Sequence, residues 1–318
     1  SCSFRTRGTG KPWKAPAAAQ PAPAPAADVR GNDVTGSGDG SNTAWGPNGI
    51  QIGFGATGSI VDNEIHGYAD PADSDGSQSA GIYVENAFTS SSPAMTKGVL
   101  IDGNDVYDNQ YGVWIGQTWD TLGGPVGIDA VLVDNYVHDN TDTGVAVVDE
   151  NAEQGSSVSV YATENVIEDN GGVGYHVFTK AEGSYHVGDG NISLTVDGDT
   201  ISGHDTGVLV EDRGDASDST IDVTVQDSSL ADNDVGVNNT WIEPVDATWN
   251  YWGAANGPGG VAPGDGADVT TNVAFRPFYA NAAMTADSTD PPTISAATLT
   301  DASNADGSVG DGDTVRVS

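Results

Sequence analysis

The sequence predicts an all-β chain wound as a single-stranded parallel solenoid, and three observations carry that prediction. The first is a recurring phrase. Asn104-Asp-Val-Tyr-Asp-Asn-Gln-Tyr-Gly-Val-Trp-Ile115 returns in register as Asn135-Tyr-Val-His-Asp-Asn-Thr-Asp-Thr-Gly-Val-Ala-Val147. It returns again from Asn165-Val-Ile-Glu-Asp-Asn to Gly174-Tyr-His-Val177, with weaker copies starting at Asn63, Asp199 and Ser228. Self-similarity of this kind is the mark of a stacked-repeat architecture. The second observation is strict alternation of apolar residues around each copy, the period of a strand with one buried face. The third is composition: 43 glycines, abundant Asp, Asn, Ser and Thr, and no stretch with a sustained helical period.

Each copy resolves into three short strands. The first precedes the Asn and turns Val99 and Ile101, Ala130 and Leu132, Val160 and Ala162, Leu194 and Val196, or Val223 and Val225 inward. The second carries one inward residue after the Asn: Ile65, Val106, Val137, Ile167, Ile201 or Leu230. The third follows the Gly, with Ile82 and Val84, Val113 and Ile115, Val145 and Val147, or Val208 and Val210. No single coil can bury such a face alone, so the coils must stack. Stacking at the strand spacing of roughly 4.8 Å lines up equivalent Asn residues at a turn. There a side-chain amide can both donate and accept along the stack. Intervals between the copies vary, which suits a core coil of about two dozen residues with inserted loops. The longest inserts are 69–80 and 86–96.

The chain divides into four parts. Residues 1–33 read as a basic, Pro/Ala-rich linker or fragment edge, holding Arg5, Arg7, Lys11, Lys14 and Arg30. Residues 34–283 form the solenoid, and 284–293 a linker ending in Pro291-Pro292. Residues 294–318 read as two strands around an acidic loop. The chain begins at Ser1, without a Met or a signal-peptide pattern, and reads as a piece of a longer protein with flanking domains.

The rungs resemble the repeats of right-handed parallel β-helix proteins of the pectate-lyase-like class, and are similar to the β-helix units of periplasmic copper-processing and cell-surface proteins. Thr248-Trp-Asn-Tyr-Trp-Gly-Ala-Ala-Asn-Gly-Pro-Gly-Gly260, followed by Val273-Ala-Phe-Arg-Pro-Phe278, resembles the closing signature of such helices. There Trp249, Tyr251 and Trp252 are expected to cap the last coil. The resemblance covers about Gly49 to Ala280 and implies a right-handed single-stranded β-helix. Residues 294–318 are similar to the opening of an immunoglobulin-like domain of surface proteins. For activity the resemblance implies little, because this fold hosts lyases, hydrolases, epimerases, adhesins and inert spacers.

Charge narrows the partners. Ten Lys+Arg face 46 Asp+Glu, for a formal net charge of −36 and a pI near 4.1. Such a chain repels nucleic-acid phosphates, and no apolar run is long enough to span a membrane. Acidity spread along the chain, with very few Lys, is similar to proteins of salt-loving organisms, where salt screens the self-repulsion. A single cysteine, Cys2, rules out an intrachain disulfide.

Chemistry must sit on outward columns. The residue after the second inward position gives His66, Tyr107, His138 and Glu168, the sharpest constellation in the chain and a candidate acid–base set for sugar chemistry. His66 and His138 lie two coils apart, too far to share a metal, so no metal site is expected. The third strand offers Tyr83 and Trp114, with Tyr111 and Trp119 nearby, as a candidate stacking platform for a sugar chain; coverage by the neighbouring inserts is the alternative. Leu100, Val131 and Tyr161 also point outward and are expected to lie under a loop. The enzyme motifs of the class depart at key positions. Gly203-His-Asp205 lacks the second Gly of polygalacturonase-like enzymes, and Asp70-Pro-Ala-Asp73 lacks the His of alginate-epimerase-like ones.

The expected function is a cell-surface or secreted β-helix domain acting as scaffold, adhesin or carbohydrate-binding module, with a polysaccharide or cell-envelope glycan as partner. The alternative is a polysaccharide lyase or epimerase working on the His66/Tyr107/His138/Glu168 face. No cofactor is expected, although scattered carboxylates suit loose association of calcium.

Overall fold

The computed structural model describes residues 26–36, 46–53, 55–69, 79–86, 95–117, 127–150, 157–180, 190–212 and 219–288, with two short strands at 300–301 and 315–316. The body is a parallel β-solenoid, with no helix among the described residues. One central coil shows the plan: Gly127–Val133 in sheet I, Tyr136–His138 in sheet II and Thr143–Glu150 in sheet III. Sheets I and III each hold nine strands and sheet II six. Successive coils pair in register, as in Val106↔Val137↔Ile167 and Val113↔Val145↔Tyr175. The expected inward residues of all three strands are buried, most of them completely, in one continuous core.

The corners explain the recurring Asn. Asn135 Oδ1 accepts from the backbone N and the Nδ2 of Asn104 at 3.0 and 2.9 Å. Its own Nδ2 donates to Asn165 Oδ1 and to Ile101 O, both at 2.9 Å. The same pattern runs from Asn32 through Asn63, Asn104, Asn135 and Asn165 to Asp199, then on through Ser228 to Asn250. A second ladder lines the corner between sheets II and III, joining Asn109, Asn140, Asn170, His204 and Asn233. Apart from the exposed Asn32 these side chains are buried, and each must find partners or carry a desolvation cost of about 1–3 kcal/mol. The ladders supply those partners from the neighbouring coils.

The residue before each ladder position has a positive φ. Asp62, Asp134, Glu164 and Asp227 hold this place at the first corner, and Asp108, Asp139, Asp169 and Asp232 at the second. Gly and, less readily, Asp or Asn adopt the left-handed region at least cost, so the paired Asp-Asn of the phrase suits the corner, with Glu164 and Trp249 the exceptions. Gly112 has a different reason. Its φ is not in that region, but a Cβ there would sit 2.5 Å from Val137 Cγ1 and 2.6 Å from Gly144 O.

The solenoid begins earlier than the expected boundary at residue 34. Ala26–Arg30 pairs along Thr57–Val61, and Asp33–Thr35 along Glu64–His66. Gly31-Asn-Asp-Val-Thr35 repeats the pattern of Gly103-Asn-Asp-Val-Tyr107, so the signal was present in the sequence. At the other end Trp252 is completely buried, against Gly236. Tyr251 bridges Ser229 and Tyr279, and Trp249 lies against the Tyr279 ring at 5.8 Å. Part of the expected linker folds back, with Ser288 N donating to Phe278 O at 2.7 Å. Thr300–Asp301 and Val315–Arg316 pair antiparallel; the rest of the expected immunoglobulin-like segment lies outside the described residues.

Replacing Asn135 by Ala is expected to lower the unfolding free energy by about 1–3 kcal/mol per polar partner left unpaired. Urea unfolding would measure it, and a change below about 0.5 kcal/mol would refute the role given to the ladder.

Candidate functional site

The outer face of sheet II is only two side chains wide in each coil. One column runs Asp33, Glu64, Asp105, Tyr136 and Val166; the other runs Thr35, His66, Tyr107, His138 and Glu168. The expected constellation is therefore one unbroken column. Strand spacing forces its rings together. His66 and Tyr107 stack at 4.8 Å with planes 1° apart, and Tyr107 and His138 at 5.2 Å. Tyr136 lies over His138 at 3.9 Å from the side.

Carboxylates hold the edges of these rings. His138 Nδ1 is 2.8 Å from Asp139 Oδ2, and its Nε2 is 3.0 Å from Asp105 Oδ1. His66 Nε2 lies 3.3 Å from Thr35 Oγ1 and 3.4 Å from Asp33 Oδ1. Tyr107 donates to Glu64 Oε1 at 2.6 Å, and Tyr136 to Glu168 Oε2 at 3.0 Å. The Tyr107 hydroxyl is pushed up to about 12, first by its bond to Glu64, then by burial and the neighbouring carboxylate charges. Burial, followed by the Glu168 bond, pushes Tyr136 to about 12 as well. Sheet II thus brings His66, Tyr107, His138 and Glu168 into line without turning them toward a common point. The Tyr107 ring separates the two histidines, and both nitrogens of His138 are occupied by carboxylates. General acid–base chemistry needs a group within hydrogen-bond reach of a bound substrate, and this stack spends its polar edges on itself.

Sheet III places Tyr83, Trp114, Ala146 and His176 in one outward column, as the alternation predicts. The rings are covered. Trp114 is 1% exposed, Tyr83 7% and Tyr111 9%, in a second apolar cluster with Ala146, Val148 and Phe178. Trp114 stands edge-on to Tyr111 at 5.0 Å and to Phe178 at 5.9 Å. Tyr83, Tyr111 and Trp114 therefore form packing and not an open platform; Trp119 and Asp70–Asp73 lie outside the described residues. His204, part of the incomplete Gly203-His-Asp205 motif, is buried in the second ladder.

What sequence reasoning missed is a corner between sheets I and II. Val131, Tyr136, Tyr161 and Val166 are 36–41% exposed, with Leu100 beside Val131. These four are most of the large apolar side chains exposed among the described residues. Leu100, Val131 and Tyr161 were expected under a loop. Tyr136 and Val166 could have been found from their outward register, one place after Asn135 and Asn165.

A family model described as the right handed beta helix region matches residues 25–192, over half of the chain. The chain belongs to the right-handed β-helix family. No curated protein and no solved structure matches it. The match begins with the first strand of the β-helix and ends at the start of the coil in which Asp199 replaces Asn, where the phrase weakens. Beyond it the parallel pairing continues, with the first ladder running on to Asn250 and the second to Asn233.

In spectrophotometric titration, Tyr107 and Tyr136 are expected to ionise near 12, about two units above an ordinary tyrosine. Glu64→Gln should bring the Tyr107 transition back toward the usual value while leaving Tyr136 in place. An unchanged titration curve would contradict the bond assigned to Glu64.

Proposed function

We propose that this β-helix is a cell-surface or secreted scaffold domain of a larger modular protein, binding a neutral polysaccharide along the Tyr136/Tyr161 corner. The observation that supports this reading is the exposure of Val131, Tyr136, Tyr161 and Val166 on interior strands at the corner between sheets I and II. Exposed aromatic rings suit the apolar faces of sugars, and side-chain carboxylates suit their hydroxyls. Both are present. Tyr161 donates to Asp197 Oδ2 at 3.0 Å, and Glu168 accepts from Tyr136, which fixes each ring in place. Two adjacent-strand pairs of exposed apolar side chains, Val131 with Tyr161 and Tyr136 with Val166, on a highly charged surface suit a partner. Excess negative charge disfavours polyuronates, which leaves uncharged glycans as the better fit.

The test is affinity electrophoresis or calorimetry against a panel of neutral and acidic polysaccharides in high salt. Tyr161→Ala and Tyr136→Ala should each weaken binding about three- to tenfold, the ~0.5–1.5 kcal/mol of an aromatic contact. His138→Ala serves as a probe of the alternative lyase or epimerase reading. Polysaccharide cleavage that His138→Ala abolishes would overturn the scaffold assignment. The same acidity has a consequence for stability. Raising salt from about 0.1 M to 1 M shortens the screening length from ~10 to ~3 Å, and thermal unfolding should move upward. A midpoint that stays level or falls would remove the salt-adapted reading.

A further inference from the structure

The residue before each position of the first ladder has a left-handed backbone and sits at the corner between sheets I and II. In chain order it is Gly31, Asp62, Gly103, Asp134, Glu164, Gly198, Asp227 and Trp249. Seven coils place glycine or an acid there, and the eighth places an indole. We propose that Trp249, with Tyr279 beside it, is a second stacking subsite for the neutral polysaccharide, so that one chain lies along this corner and touches both ends. The inference rests on the assignment of such a chain to Tyr136 and Tyr161, and adds a length requirement to it.

The backbone gives no reason for a tryptophan at this place. A bulky side chain at φ 60° is strained, and glycine, Asp or Asn would relieve that strain. The corner cannot relax around it. Trp249 N donates to Pro277 O at 2.6 Å, and its carbonyl accepts from Asp227 N at 2.8 Å. Strain over-determined in this way by its surroundings concentrates at binding sites. Closure of the solenoid does not supply the reason either. Trp252 does that work: it is completely buried, and a Cβ on Gly236 would lie 2.8 Å from its ring. Trp249 is only half-buried, and it belongs neither to the core nor to the apolar side chains packed on the core. Among the described residues its ring meets Tyr279, at 5.8 Å with the planes 52° apart.

Tyr279 is mounted as the tyrosines of the first subsite are. Its hydroxyl donates to Asp227 Oδ1 at 2.5 Å, as Tyr161 donates to Asp197 and Tyr136 to Glu168. Each ring is held by its polar edge, so little side-chain freedom remains to be lost when a sugar packs against it. Between the two subsites the corner is low and polar. Tyr161 is followed along sheet I by Thr195 and Thr224, and Val166 along sheet II by Thr200 and Ser229. Short hydroxyls can exchange hydrogen bonds with a sugar chain and leave its path open. From Asn165 to Asn250 the ladder climbs three coils, through Asp199 and Ser228. At the strand spacing that places the subsites roughly 14 Å apart. A shorter chain holds one subsite only, whereas a chain that crosses the gap gains the second contact without a second loss of translational freedom. Carboxylates at both ends, Asp197 and Asp227, favour an uncharged chain over a polyuronate.

Calorimetry in high salt tests this on the full chain, with size-fractionated oligosaccharides of neutral glucans and mannans as probes. Affinity should step up about three- to tenfold once an oligosaccharide is long enough to span the gap. In Trp249→Asn the step should vanish, while the shortest oligosaccharides that bind keep their wild-type affinity and their sensitivity to Tyr161→Ala. Asn accepts the left-handed corner, so the unfolding midpoint of this variant should stay level or rise. A length step that survives Trp249→Asn would overturn the second subsite. So would a lowered midpoint, which marks the indole as packing. Either result leaves the Tyr136/Tyr161 reading standing, whereas failure of every chain to bind, long or short, overturns both.

Discussion

Everything in this molecule depends on two stacks of polar side chains, mostly amides, at two corners of its coils. Apolar burial alone would favour a compact β chain, but it would not fix where each turn falls. A one-residue slip in any coil would send its core face outward. The ladders resist such a slip because most of their amide oxygens accept two hydrogens from the coil before. Moving one rung would strand several buried polar groups at once. The backbone contributes through the left-handed residue that precedes every ladder position, which is why the phrase pairs Asp with Asn.

This constraint explains how much could be read from sequence. Sheets, inward faces, outward columns and the single line His66–Tyr107–His138–Glu168 all follow from period and register, both local properties. The first coil could also have been read, since Asn32 carries the same neighbours as Asn104; the basic, Pro-rich surroundings obscured it. Burial of the outward faces could not be read in this way. Tyr83 and Trp114 look like an open platform and are enclosed, while Tyr136 and Tyr161 are open at a corner. Alternation assigns a side of the sheet, and it says nothing of what lies above that side. One partner of His138 was equally hidden, because Asp105 reaches it only through stacking, whereas Asp139 is its neighbour in sequence.

Surface and interior handle the same acidity differently. Outside, carboxylates clamp the edges of tyrosine and histidine rings, whose faces stack on one another along the column. Inside, one carboxyl and one imidazole replace amides and are tolerated because hydrogen bonds to adjoining coils take their place. The excess of acid is thus compatible with a rigid body, provided that salt screens what remains outside.

The links between the strands also differ in kind. From sheet I to sheet II two residues always intervene, as between Val133 and Tyr136 or Thr163 and Val166. From sheet III to the next coil the interval varies, being longer between Gln117 and Gly127 than between Glu150 and Ser157. Neither ladder lies at that third corner. The β-helix therefore has a grafting seam: a flank along which new segments, epitopes or recognition loops can be spliced in coil after coil while the frame that displays them keeps its pitch.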